Sequence, residues 1–398
     1  MAIQLLVTDR NLNFLGDPIV GWSRLTCDLN FNAPASGSVQ LPARPEYMEL
    51  LQPGNRMIVM RDEEIWCAGP IEVPQDPYTW DQASNAGVGT VTARFSDDLA
   101  RVAGYVTYPE PAKSFATQTR TSDVVRKFTA TNTEQIIRTL VSENCGPTAL
   151  AARRIERLVL DTVAGVGTAQ TVSTRFEPLL DACRTAAVTD KLGFRTRQVG
   201  SEIRFGVYAP RDLRDTARFS DGLGNLRSVQ FTMGAPLATS ELVMGGHDPA
   251  DDPPEGDPPY QRTYVEVTSN QHVDWWRVEK FLEKSGVDDD SEGELTQAGR
   301  LAFGNDNPTA SLSTVTVDTE DLKAGRDFGL GDRVAVVLPT GLQISDVVQS
   351  IGLAAEPDSG ELVTTVVGNN DKTTMTRMVW TVRDLAYRLG QLEGRGRG

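Results

Sequence analysis

Apolar and polar residues alternate through the first hundred positions, a pattern that predicts strands joined by tight turns. IQLLVTD reads as a strand, RNLNFLGD as a turn, and WSRLTCDLNF and SVQLPA as two further alternating segments. MIVM, RDEE and IWCAGPIEV predict a hairpin, and GTVTARFSD a returning strand. Between these last two, Pro74 to Gly89 is rich in Pro, Asp, Asn and Gly, which predicts a long loop.

Past Pro109 and Pro111 the period lengthens towards that of a helix. EQIIRTLVSENC predicts one with Thr133 as its cap and Gly146 and Pro147 as its stop, FEPLLDACRTAAVTDK predicts a second, and FRTRQVGSEIRFGVY a hairpin. LRSVQFTM and SELVMGG return to strand. GHDPADDPPEGDPPY combines prolines with clustered like charges, which oppose both regular structures, and predicts an exposed loop. VDWWRVEKFLEKSG and SEGELTQAGRLAFG read as helices, three strands are expected between Ser311 and Gly368, and the tail ending RGRG is expected to fray.

One pattern occurs twice. GNRMIVMRDEEIWCAGPI, from Gly54, aligns without gaps on GDRVAVVLPTGLQISDVV, from Gly331, at an offset of 277. Each copy opens on a turn, Gly54, Asn55, Arg56 in one and Gly331, Asp332, Arg333 in the other. Four apolar residues follow, then a turn, then alternation that sets Ile65, Cys67 and Ile71 against Leu342, Ile344 and Val348. Period-2 apolar positions share one face of a sheet, so the same hairpin with the same inward face is predicted twice, and with it two related β units.

Composition widens this picture. A chain of 398 residues with 39% hydrophobic and 23% charged residues can bury two or three cores, so more than one domain is expected. Its net charge of -15 argues against a sequence-independent grip on nucleic-acid phosphates. Cys27, Cys67, Cys145 and Cys183 lie far apart without a CxxC pair, which points to buried apolar side chains rather than zinc or a disulfide framework. Nowhere do 18 apolar residues run together, and MAIQLLVTDRN has only a short apolar run before Asp9 and Arg10. No membrane span or signal peptide is predicted, and folding in a cytoplasm is expected.

Candidate chemistry is sparse. DDDSEGE, Asp288 to Glu294, imitates the start of a calcium loop with Asp288, Asp290, Glu292 and Gly293, but its twelfth position is Gly299 where a bidentate Glu is required. A solvated turn between helices is the better reading, as is an exposed loop for Asp248 to Asp257. Only His247 and His272 are available for imidazole chemistry, and HExxH, GxSxG and a Gly-Lys-Ser/Thr phosphate loop are all missing. Carboxylate pairs for glycan cleavage stay open, since separation in space is invisible in a sequence. The GVGT segments at Gly87 and Gly165 and the GLG at Gly222 do not complete GxGxxG and read as turns. Trp275 and Trp276 could form a sugar platform, though packing is the expected role. Arg153, Arg154 and Arg157 lie at helical spacing and read as a solvated face.

Taken in order, VTDRNLNFLGD, LNFNAPASGSVQLPA, LLQPGNRMIVMRDEEIWCAGPIEV, FSDDLARVAGYVTYPEP and LGDRVAVVLPTGLQISDVVQSI resemble the tail-tip hub proteins of long-tailed phages, particularly those infecting actinobacteria. Such hubs are similar in fold to baseplate hubs of contractile tails and to type VI secretion spikes. The resemblance implies an α+β, mainly β fold: two related β-barrel domains with an α/β portion between and beside them. It further implies a ring-forming homotrimer whose six barrels match a sixfold tail. Implied partners are the distal-tail ring, the tape-measure C-terminus and receptor-binding or other minor tail proteins, with DNA crossing the lumen without specific binding.

The expected division is 1–108 for the first barrel, 109–210 for the α/β domain, 211–245 with 308–370 for the second barrel, 246–307 for the acidic loop and helical continuation, and 371–398 for the tail. The expected role is structural, in the virion at the tail tip after assembly in the host cytoplasm, with no catalytic, cofactor or metal residues assigned. A tail-associated cell-wall hydrolase or carbohydrate-binding protein is the alternative, which the short chain beyond Gly368 disfavours.

Overall fold

The computed structural model describes residues 3–80, 87–121, 124–246, 262–269, 273, 276–284, 287, 290–291, 293–306, 310–358 and 360–368. The chain opens with β1 (Ile3–Thr8), β2 (Phe14–Ile19), β3 (Arg24–Asn30), β4 (Ala33–Pro42) and a short helix α1 (Pro45–Leu50). It continues through β5 (Arg56–Arg61), β6 (Glu64–Val73), β7 (Tyr78–Thr79) and β8 (Thr90–Ser96). After α2 (Leu99–Ala103) come β9 (Arg126–Asn132), α3 (Thr133–Asn144), β10 (Leu158–Leu160), β11 (Ala169–Thr174) and α4 (Leu179–Asp190). The hairpin β12 (Gly193–Val199) and β13 (Glu202–Tyr208) closes this α/β segment.

β14 (Arg218–Ser220) and β15 (Leu226–Met233) return to the main sheet. They are followed by β16 (Ser240–Gly245), β17 (Thr263–Thr268), β18 (Glu279–Lys284) and α5 (Glu294–Asp306). β19 (Ala310–Val317), β20 (Arg333–Val337), β21 (Gln343–Glu356) and β22 (Gly360–Val367) complete the fold, four strands where three were expected. The protein is mainly β, as expected.

The predicted hairpin repeat extends to its hydrogen-bond register. Met57 pairs with Gly69 and Val59 with Cys67; at the same offset, Val334 pairs with Asp346 and Val336 with Ile344. Each copy then shifts register, between Ile71 and Val73 against β8 and between Val348 and Ser350 against β22. A bulge bends a strand and redirects its edge, so the bend is repeated along with the hairpin. The predicted inward face holds for Cys67, Ile71 and Val348, which are buried, and for Ile344, which packs against the core. It fails at the first position, since Ile65 is 42% and Leu342 46% exposed, each beside its hairpin turn.

Strand order repeats as well. β3, β4, β8, β6 and β5 are successive neighbours in one unit, and β15, β19, β22, β21 and β20 in the other. The first unit adds β1 antiparallel to β5, whereas the second adds β14 parallel to β20.

Neither unit forms the closed barrel that was expected. Among the described residues no sheet returns to pair with itself; both units belong to one sheet of 14 strands. The reason lies in β21, whose 14 residues pair first with β20 and then with both β22 and β3. Its far half pairs with the other unit: Ile351 lies opposite Leu29, Leu353 opposite Cys27 and Ala355 opposite Leu25. These six side chains belong to one continuous apolar core shared by the two units.

A second core fills the α/β segment, where α3 and α4 bury Ile136, Ile137, Leu140, Leu179 and Cys183 against Phe194, Phe205 and Val207 of the β12–β13 hairpin. The turn between β3 and β4 fastens it to the first unit. Asn32 donates from Nδ2 to the Leu192 carbonyl at 2.9 Å and accepts from the Phe194 N–H at 2.8 Å. The N-cap of α3 is Asn132, whose side chain accepts from the N–H groups of Glu134 and Gln135, and not Thr133, which is the first helical residue.

Two expected helical features are something else. Residues 279–284 of VDWWRVEKFLEKSG form β18, which runs parallel to β16 and completes a three-stranded sheet with β17. The β16 edge offers a full ladder of backbone partners, and that tertiary pairing overrides helix propensity. Ala151–Arg153 is a single 3-10 turn, so Arg153, Arg154 and Arg157 share no helix face. Arg153 instead stacks 3.5 Å over the Tyr108 ring. SEGELTQAGRLAFG does form a helix, α5.

Candidate assembly interface

The two repeated turns share a backbone and differ in their side chains. Gly54 (φ 89°) and Gly331 (φ 84°) both adopt a conformation that favours glycine. Past them, the N–H of Ile71 donates to the Asn55 carbonyl, and the N–H of Val348 donates to the Asp332 carbonyl, each at 2.9 Å. Asn55 also caps α1 by donating from Nδ2 to the Leu50 carbonyl at 2.9 Å.

In the first copy the arginine is the buried charge. Arg56 is 2% exposed and paired through Nε and Nη2 with Asp98, which is equally buried. Its Nη1 donates to Thr8 Oγ1 at 3.1 Å and Gln198 Oε1 at 2.9 Å, so one guanidinium ties β1, β5, the start of α2 and β12 together. In the second copy the burial is reversed. Arg333 is exposed, while Asp332 is buried and accepts from the Arg211 N–H, from Arg211 Nε and Nη2, and from the Gly329 N–H. In both turns the buried charge is paired within the chain.

Beside the first pair, Asp97 accepts from the Ala35 N–H at 3.1 Å. Burial pushes its carboxyl up to about 7, with the neighbouring Asp98 adding to the rise. An acid whose folded-state pKa is raised stabilises the fold most below its ordinary value, near 3.8, and loses that contribution as pH climbs towards 7. Asp97→Asn keeps an acceptor for Ala35 and removes the titration. The variant is expected to gain stability relative to the parent between pH 4 and 7, by more than about 1 kcal/mol, in parallel urea titrations. A constant difference across that range would refute the assignment.

A cleft of about 620 Å³ lies where the units meet, lined by Ile3, Trp22, Arg61, Asp318, Lys323 and Glu361 among others. Arg61 sits between Glu361 at 2.8 Å and Asp318 at 3.7 Å, with its guanidinium 5.2 Å from the Trp66 ring. Burial raises the Asp318 carboxyl to about 6 against the opposing pull of the Ala324 N–H and Arg61. Here two carboxylates do come together, but around an arginine that ties β5 to β22. That is an ion cluster joining the units.

Other candidate residues are not among those that line this cleft, and two of the cysteines meet, the Cys67 thiol sharing a hydrogen bond with Cys27. All four cysteines are buried and free, as expected. Asp290 caps α5, accepting from the Leu295 and Thr296 N–H groups and from Thr296 Oγ1. Asp288, Glu292, His247, His272, Trp275, the loop from Asp248 to Asp257 and the tail 371–398 lie outside the described residues. Trp276 is 62% exposed. The GVGT at Gly165 is a turn that wraps a carboxylate of the chain itself: Glu134 accepts from the N–H groups of Ala164, Gly165 and Val166. Among the described residues no group of three or more His, Cys, Asp or Glu could hold a metal ion, and no helix is long and apolar enough to cross a membrane.

The sequence matches the family described as Siphovirus ReqiPepy6 Gp37-like protein over residues 4–369. The chain belongs to that family. None of the curated proteins compared with it matches. In fold it is similar to the 43 kDa tail protein of prophage MuSo2 from Shewanella oneidensis, with 13% identity, TM-score 0.56, and coverage of 92% of this chain and 98% of the other. A tail protein from Neisseria meningitidis MC58 gives 12% identity and TM-score 0.57, covering 93% and 97%. Prophage tail protein gp18 from Listeria monocytogenes EGD-e gives 9% and 0.52, covering 96% and 99%. The chain is thus a member of a siphovirus protein family whose fold it shares with phage tail proteins.

Sequence reading missed Asp98, Arg211, Arg61, Asp318 and Glu361. Each is one half of a contact closed across many residues. The only local signal was the adjacent pair Asp97 and Asp98 just before an apolar helix, in a stretch noted for other reasons.

Proposed function

We propose that this protein is the hub of the tail tip. In this reading three copies form a ring that closes the tail tube, joins the distal-tail ring to receptor-binding and other minor tail proteins, and contacts the tape-measure C-terminus. The ring opens for DNA to pass through the lumen. The mechanism is interface formation and opening, without covalent catalysis.

The observation that carries this reading is the duplicated β unit, which repeats its hairpin pairings up to Val59 and Val336, the register shift after Ile71 and Val348, and its strand order, inside a fold shared with tail proteins. A trimer with two equivalent units per chain presents six similar surfaces, which is what docking on a sixfold tube requires. The net charge of -15 suits a lumen along which a polyanion slides. The carboxylates that meet in the cleft are held by Arg61, a use that favours structure over hydrolysis.

Native mass measurement should find a homotrimer, either of the isolated chain or on mixing with its tail partners. A map of the assembled tip should then show both hairpins facing one ring. A stable monomer absent from purified virions would overturn the proposal.

A further inference from the structure

The small sheet β17–β16–β18 has one face covered and one face open. α5 covers the first: a Cβ on Gly245 would lie 2.8 Å from Leu295 Cδ2, and one on Gly299 would lie 2.6 Å from Val267 Cγ2 and 3.1 Å from Val243 Cγ2. On the other face Tyr264 lies opposite Met244 and Phe281 opposite Leu242, so the two β16 side chains link the two rings in an apolar diagonal across the sheet. Tyr264 is 71% and Phe281 61% exposed, while Leu242 and Met244 are half-buried. Glu266 and Glu283 occupy the remaining corners of this array, opposite Leu242 and Met244. A sheet face that sets two exposed rings beside two half-buried apolar side chains is one that another element is expected to cover.

The chain carries a segment suited to it. Residues 369–398 lie outside the described residues, yet MTRMVWTVRDLAYRL, 375–389, is patterned in sequence. At about 100° per residue, Met375, Met378, Val379, Val382, Leu385 and Leu389 fall within an arc of about 120°, the apolar stripe of an amphipathic helix. Thr374 before it and Gly390 after it are residues that cap helices. Its polar side carries Arg377, Arg383 and Arg388 against Asp384 alone, whereas the open face presents Glu266, Glu279 and Glu283 against Arg277 and Arg262. Those ion pairs are exposed, and such pairs are readily exchanged.

The chain also leaves the second unit at the matching end. Gly368, whose N–H donates to the Val347 carbonyl, lies against the backbone of Leu312. Leu312 is opposite Phe231, two residues before β15 ends at Met233 and the chain crosses to β16 at Ser240. Residues 369–374 add up to about 20 Å of reach. The cleft around Arg61 opens at the opposite end of β22, beside Gly360.

We propose that residues 375–389 dock as a helix on the open face of β17–β16–β18 in their own chain, with the apolar stripe on Tyr264, Met244, Leu242 and Phe281 and the arginines towards the glutamates. Residues 378–385 rise about 10 Å along such a helix, and β17 and β18 stand about 10 Å apart across β16, so two turns bridge the two rings.

A photoreactive benzophenone amino acid in place of Phe281 of the full-length chain tests this, with the same group at Phe115, an exposed ring of the α/β segment, as the control. Irradiation of the purified protein is expected to give a denatured product of one-chain mass whose cross-link maps by mass spectrometry to 375–389, and the control to give no such link. Amide exchange in 375–389 is expected to be slowed, and Tyr264→Thr with Phe281→Thr to speed it at least about tenfold. Threonine keeps strand propensity, and unchanged protection of β16 and of the β12–β13 hairpin in the same spectra would show the fold intact. A link between two chains, a link only to other segments, or exchange in 375–389 that is unprotected or untouched by the threonines would overturn the proposal.

Discussion

Arg56→Ala is expected to lower the unfolding free energy by about 3–5 kcal/mol, because truncation leaves Asp98 charged, buried and without its partner. The cost should appear as a fall in urea midpoint with little change in slope. Asp98→Ala strands the guanidinium and should cost a similar amount. Burial already raises the Asp98 carboxyl, and Arg56 is the first opposing influence, so loss of Arg56 should raise it further. Arg333→Ala, at the aligned position of the second copy, should change stability by less than about 0.5 kcal/mol because that side chain is exposed. Arg56→Met with Asp98→Leu removes both charges and should recover most of the loss. Equal costs for the two arginine truncations would show that Arg56 is not the buried anchor described above.

That contrast marks where the sequence stops being legible. The hairpin at Gly54 and its copy at Gly331 could be read because side chains alternate locally, and the spacing of Cys67 and Ile71 matched that of Ile344 and Val348. Register and bulge followed, since both are properties of two neighbouring strands. The arginines at 56 and 333 looked alike because the difference between them is made elsewhere, by Asp98 in one unit and by Arg211 in the other.

The failure of the closed barrels has the same origin. β21 appeared in the sequence as the end of a second unit, but its far half is committed to β3, more than three hundred residues earlier. No periodicity within either segment could specify that pairing. β18 shows the reverse error, where a stretch that could pass for a helix was claimed by an available sheet edge. Among the residues of the candidate interface, the turns were found because they are local, while Arg61 with Asp318 and Glu361 were missed because they meet only when both units are folded.

Gly331→Ala is expected to destabilise the protein by about 3 kcal/mol or more, and Gly54→Ala by only about 1–2 kcal/mol. Both glycines have φ near 85°, so both substitutions carry the backbone strain of an L-residue in that region. Only one also meets a wall. A Cβ on Gly331 would lie 2.4 Å from Phe31 Cε2 and 2.9 Å from Pro210 Cγ, whereas a Cβ on Gly54 finds nothing within 4 Å. Phe31 is the residue through which β3 leaves the seam, its N–H donating to the Gln349 carbonyl, so overpacking there presses on the junction between the units. Phe31→Ala should therefore relieve part of the Gly331→Ala penalty and none of the Gly54→Ala penalty, a difference that a double-mutant cycle reads directly. If the two glycine variants unfold at the same urea concentration, the close approach of Phe31 to the second turn is not what distinguishes the copies.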